Sequence, residues 1–141
     1  MAATLVDSNV LIDVLTGRSA WTEWSDGALS EALEHGAAMV NQIIYAEISV
    51  GFRGPEECER AMRARGIELM PLPWPASFLA GRAFVEYRKR GGTRRSPLPD
   101  FFIGAHAAVS RLRILTRDPI RYRTYFPTVE LIAPEQPPRR D

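Results

Sequence analysis

The sequence predicts an α/β fold in which a parallel sheet of about five strands is covered by helices on both faces. Three observations lead there. Short apolar runs at residues 4–6, 37–40, 67–70, 114–116 and 129–132 alternate with segments of helical period, the pattern of a helix-covered parallel sheet. A chain of 141 residues is long enough for one domain with a core of its own. A composition of 45% hydrophobic and 25% charged residues, with no internal repeat or low-complexity segment, is that of an ordinary globular protein.

The elements follow in order. Thr4-Leu5-Val6 is a short apolar run and makes strand 1. Ser8 or Asn9 caps a helix over residues 9–15, which Gly17 ends. Trp21, Trp24, Ala28 and Ala32 recur at helical spacing and define a helix over 21–34, stopped by Gly36. Residues 37–40 are strand 2. The stripe of Ile44, Ile48 and Phe52 marks a helix over 42–51. Pro55 opens the next helix, with Glu56, Glu57 and Glu59 near its positive end, and it runs to about residue 65. Strand 3 covers 67–70, closed by Pro71 and Pro73. A longer helix over 76–90 ends at Gly91-Gly92. Residues 93–99 form a basic loop, and Asp100 caps a helix to about residue 111. Strand 4 covers 114–116, a short helix 119–125, and strand 5, an edge, 129–132. Residues 1–133 thus form one domain. The tail 134–141, rich in proline and charge, is expected to be disordered.

The bulk properties exclude several classes. No stretch approaches the roughly 18 uncharged apolar residues of a membrane span. The N-terminus lacks a basic leader, and Asp7 and Asp13 interrupt its apolar run, so no signal peptide and no membrane partner are expected. Cys58 is the lone cysteine, which rules out an internal disulfide framework and fits a reducing, cytoplasmic setting. Glu56, Glu57 and Glu59 beside it make a reactive thiolate unexpected, and it reads as a helix residue. The net charge of +1 hides an asymmetry: residues 1–81 hold 5 Arg against 11 Asp and Glu, whereas residues 82–123 hold 10 Arg and 1 Lys against 3. The split suggests an acidic site beside a basic surface suited to a polyanion, although solvated helix faces give the same count.

The acids locate the site. In open parallel sheets the functional crevice lies beyond the carboxyl ends of the strands. Asp7 follows strand 1, Glu47 lies in the helix after strand 2, Asp118 follows strand 4, and Asp100 opens a helix that starts on the same rim. Each has a plain alternative: Asp7 or Asp100 as a helix cap, Glu47 as an exposed helix residue, Asp118 as a turn former before Pro119. Together they point to a cation, because gathered carboxylates repel unless one sits among them. An all-oxygen donor set suits Mg²⁺ or Mn²⁺. Zinc is disfavoured, since Cys58 has no partner thiol and His35 and His106 lack ligand spacing. His106 lies six residues past Asp100, about 240° around a helix, and reads as structural. Asp13 either braces Asn9 or is a surface acid. Trp21, Trp24 and Trp74 either stack bases or pack.

Four segments, "LVDSNVLIDVL", "NQIIYAEISVGF", "SPLPDFFIGAHAAV" and "ILTRDPIRYRTYF", resemble the signature segments of PIN-domain ribonucleases, and most closely the VapC-type toxins of bacterial toxin–antitoxin pairs. The resemblance spans roughly residues 4–132. It implies a three-layer α/β/α sandwich with a five-stranded parallel sheet and a Mg²⁺- or Mn²⁺-dependent endoribonuclease. By position, Asp7, Glu47, Asp100 and Asp118 match the acidic quartet, and Ser8, Asn9 and Thr116 match the small polar residues beside it. Ser8 and Thr116 would hold metal-bound waters, and Asn9 would orient a carboxylate. Arg117 would clamp a phosphate or pair with an acid, and Arg94 and Arg95 in the loop before Asp100 would touch an RNA backbone. The resemblance further implies a VapB-like antitoxin and a homodimer built from helices in the 42–65 region.

Two other classes compete. A phosphoryl-receiving domain shares the layering and the Mg²⁺, but needs a lysine at a strand end, and the single lysine, Lys89, lies inside a helix. The chain also lacks a D-x-D after strand 1 and a G-x-x-x-x-G-K-[ST] loop. A non-catalytic nucleic-acid-binding module would use the basic face, but has no reason to collect acids where phosphates dock.

Overall fold

The computed structural model describes residues 2–135. Five strands, β1 (Thr4–Val6), β2 (Ala38–Val40), β3 (Ile67–Leu69), β4 (Arg113–Leu115) and β5 (Leu131–Ile132), form one sheet in the order β3-β2-β1-β4-β5. Every pairing is parallel, with Leu5 opposite Met39 on one side and Ile114 on the other. Among the described residues, seven helices connect them: α1 (Ser8–Thr16), α2 (Thr22–His35), α3 (Gln42–Ser49), α4 (Pro55–Ala64), α5 (Trp74–Lys89), α6 (Pro99–Ser110) and α7 (Ile120–Tyr125). The fold is the expected three-layer α/β/α sandwich.

The short strands are apolar because the central ones are covered on both faces. β1 and β2 are buried at every position, and so are Ile114 and Leu115 of β4. The edges differ. In β3 only Ile67 is buried, and β5 is two half-buried residues. Strand order fixes the crevice. From β1 the chain winds outward through β2 to β3, then crosses back to β4 on the other side of β1. The order therefore reverses between β1 and β4, whose carboxyl ends lead directly into Asp7 and Thr116–Asp118.

Several expected boundaries shift for local reasons. Helix α1 begins at Ser8, because Asp7 itself caps it: the Oδ1 atom accepts the Ser8 N–H at 2.8 Å. Helix α5 begins at Trp74 rather than 76, since Pro73 and Pro75 are tolerated around a first turn. Asp100 is not a cap. Leu98 occupies the cap position, Pro99 is the first helical residue, and Asp100 lies in the first turn, where the helix dipole still favours its charge. The start of α6 is fixed by packing: Phe101 meets Tyr87 of α5 at 5.5 Å and Tyr125 of α7 at 5.2 Å between ring centroids, both edge to face. Cys58 is buried in α4. Among the described residues, no helix is long and apolar enough to cross a membrane. The tail expected to be disordered falls largely on 136–141, outside the described residues; Pro134, at its start, is buried.

Candidate active site

Asp7 sits at the end of the central strand and is 5% exposed. Three donors hold it. The Ser8 N–H reaches Oδ1 at 2.8 Å, while the Thr116 and Tyr122 hydroxyls reach Oδ2 at 2.9 Å each. Burial nevertheless wins: loss of hydration first, and the nearby charge of Asp100 second, push the carboxyl up to about 6 against the pull of the three donors.

Thr116 is the hub of this network. Its Oγ1 accepts the Asn9 amide at 3.3 Å and the Asp118 backbone N–H at 3.0 Å. Both hydroxyl lone pairs are thereby used, so its one proton goes to Asp7. Asn9 also accepts the Arg117 backbone N–H at 3.1 Å through Oδ1, which ties α1 to the exit of β4. Asn9 thus steadies Asp7 through Thr116 rather than by touching a carboxylate.

Glu47, half-buried on α3, is raised by burial and by Asp100, and drawn back by a hydrogen bond from Ser8. Ser8 thus influences two acids: its backbone N–H bonds Asp7, and its side chain draws down the proton affinity of Glu47. The Oε1 atom of Glu47 is buried with no hydrogen-bond partner among the described residues. Asp100 faces Arg121 of α7, whose guanidinium lies 3.0 Å from Oδ2. Asp118 enters through its backbone bond to Thr116. The structure thus places Asp100 within electrostatic reach of both Asp7 and Glu47, with Ser8 and Thr116 bonded to Asp7 and Asn9 bonded to Thr116. Among the described residues, no three carboxylate, thiol or imidazole groups close on a common point as a metal site would.

The arginines divide. Arg94 and Arg95 are exposed in the loop leading to Asp100, and Arg88 braces that loop by donating to the Arg94 carbonyl at 3.0 Å. Arg117 turns away from the acids. Its Nε lies 2.8 Å from Asp13 Oδ2 without the alignment of a hydrogen bond, and its guanidinium lies 5.9 Å from the Trp21 ring centroid. Asp13 is 1% exposed and also accepts the Ser25 hydroxyl at 2.6 Å, so it braces α2 and Arg117 instead of Asn9. His106 is buried against the Asn41 amide at 3.1 Å, and burial lowers its proton affinity, as suits a structural histidine.

Two contacts escape sequence reasoning: Tyr122 on Asp7 and Arg121 on Asp100. A signal existed. Helix α7 starts two residues after Asp118 on the same rim, so its first turn faces whatever the rim holds.

Comparison with known proteins agrees with the fold. The PIN domain family model matches residues 4–127. Among solved structures, the VapBC2 complex from Rickettsia felis bound to a DNA fragment from its promoter contains a chain that is 14% identical, with TM-score 0.71, covering 94% of this chain and 99% of that one. The VapBC-1 structure from nontypeable Haemophilus influenzae gives 15% identity and TM-score 0.67 over 93% and 97%. A toxin–antitoxin complex from Klebsiella pneumoniae gives 24% and 0.59 over 84% and 89%. At these identities the likeness is one of fold. No curated protein matches.

Proposed function

The chain belongs to the PIN-domain family, and from that premise we propose that it is a divalent-metal-dependent endoribonuclease, the toxin of a toxin–antitoxin pair. The observation that supports this most is the acid rim: Asp100 raises the proton affinity of both Asp7 and Glu47, and Glu47 keeps one buried oxygen without a partner among the described residues. Buried carboxylates that repel one another are costly unless a cation joins them. The donor set is all oxygen and fits a hard cation. Asp7, Asp100, Asp118 and Glu47 would hold Mg²⁺ or Mn²⁺, which supplies an acidified water and neutralises charge on the scissile phosphate.

The protein's own groups do the rest. Ser8, Thr116 and, through Thr116, Asn9 fix the Asp7 carboxylate before substrate arrives. Glu47, with its raised proton affinity, suits a general base that takes a proton from the attacking water. Arg94 and Arg95 border the rim and would meet RNA phosphates. Arg117, engaged by Asp13, contributes by steadying the β4 exit. The products would be a 3′-hydroxyl and a 5′-phosphate. The fold likeness to VapBC assemblies supports a VapB-like antitoxin as partner. The homodimer, joined through helices of the 42–65 region, rests on the family resemblance of the sequence.

The test is cleavage of a structured RNA pool by the protein purified away from any co-expressed partner, with Mg²⁺, Mn²⁺ or EDTA, beside Asp100→Asn, with the cut ends mapped. Cuts at a few sites that need the cation and vanish in the variant are expected. RNA bound but uncut under every cation would overturn the nuclease and favour a non-catalytic nucleic-acid-binding module.

A further inference from the structure

The side chain of Tyr122 is fully buried. Phenylalanine would fill the same space with no polar atom to satisfy, whereas a buried phenol needs a partner. Here the partner is Oδ2 of Asp7, at 2.9 Å. Thr116 donates to that same oxygen, also at 2.9 Å, and its proton is committed because both its lone pairs accept N–H groups. A carboxylate oxygen has two lone-pair sites. Both sites on Oδ2 are therefore taken. Oδ1 accepts the Ser8 N–H at 2.8 Å and, among the described residues, keeps one site open.

We propose that Tyr122 is a positioning residue for the cation site: with Thr116 it saturates Oδ2, so that Asp7 meets a divalent cation through Oδ1 alone. The inference rests on the reading of Asp7 as a cation ligand. It assigns a direction as well as a residue. The oxygen offered is the one that the Ser8 N–H already holds. Tyr122 also fixes the plane of the carboxylate in advance, which spares reorganisation when the cation arrives.

The experiment is calorimetric titration of Mn²⁺ into the full chain and into Tyr122→Phe, Thr116→Val and Asp7→Asn, with the kinetics of RNA cleavage measured alongside. Tyr122→Phe keeps the ring and loses the donor. It is expected to weaken Mn²⁺ binding about tenfold, to lower kcat and to leave KM for RNA unchanged. Thr116→Val removes the other donor to the same oxygen and carries the same expectation, so the test holds even where Tyr122→Phe folds poorly. The wild type is expected to show a tyrosine difference signal on Mn²⁺ binding that Tyr122→Phe lacks. Mn²⁺ affinity in both donor variants within twofold of wild type, with Asp7→Asn no longer binding, would overturn the role of Tyr122 alone. Unchanged affinity in Asp7→Asn would overturn the site reading beneath it.

Discussion

The Asp7→Asn variant is expected to cleave RNA at least about 100-fold more slowly than the wild type, because loss even of a ligand's supporting partner costs 10–100-fold. Without metal, it is also expected to be the more stable protein at neutral pH. The sign follows from the carboxyl, which is raised from 3.8 to about 6 by burial and by Asp100. At pH 3 both the folded and the unfolded carboxyl hold the proton. As pH rises from about 4 to about 6 the unfolded carboxyl ionises first, so folding loses stability. The loss is complete above pH 6 and amounts to about 3 kcal/mol. Asparagine does not titrate. Its carbonyl still accepts from Thr116 and Tyr122, but its amide opposes the Ser8 N–H, which removes about 1 kcal/mol of the gain. Urea unfolding in EDTA at several pH values checks this. The variant's advantage should open between pH 4 and 6 and level at about 2 kcal/mol. His106, whose proton affinity burial lowers, gives both proteins the same slope and cancels in the difference. An advantage that does not change with pH would mean that Asp7 is ionised in the fold without cost.

The second large effect is steric. Gly104 lies one turn after Asp100 on the same face of α6, and a Cβ there would stand 2.2 Å from Phe126 Cδ2 and 2.4 Å from Cε2. Phe126 is 4% exposed and ends α7, so the ring has little room to yield. Gly104→Ala is therefore expected to cost about 3 kcal/mol, at the upper end for overpacking, and to lower Tm by about 10 °C. Cleavage should fall as well, since α6 carries Asp100 and α7 carries its partner Arg121. Gly81→Ala in α5 is the control. Its Cβ would meet nothing within 4 Å, and relief of a helix-interior glycine should raise stability by about 1 kcal/mol. Thermal unfolding of the two variants should thus shift in opposite directions.

These two residues also show what could be read in the chain and what could not. The apolar runs, and Asp7 and Asp118 directly after two of them, were legible because covered strands leave no alternation to decode and end at the crevice. Thr4–Val6 was read to the residue. Asp100 was placed on the right helix but one role off, because Pro99 claims the first helical position and pushes the cap back to Leu98. Asp13 looked like a surface acid or a brace for Asn9. Its burial depends on Arg117, 104 positions away, and no local pattern reports that pairing. Tyr122 and Arg121 were hidden for the same reason. Each earns its contact only when α7 folds back onto the rim that β1 and α6 build. Nothing local to Gly104 announces its neighbour Phe126, which is a tertiary fact.

The most direct test of the central claim is the anomalous scattering of Mn²⁺ in crystals of the full chain. A peak bonded to the carboxylates of Asp7 and Asp100 is expected, with Arg121 displaced from the latter. A peak elsewhere, or none at the rim at saturating Mn²⁺ while Arg121 stays on Asp100, would contradict it.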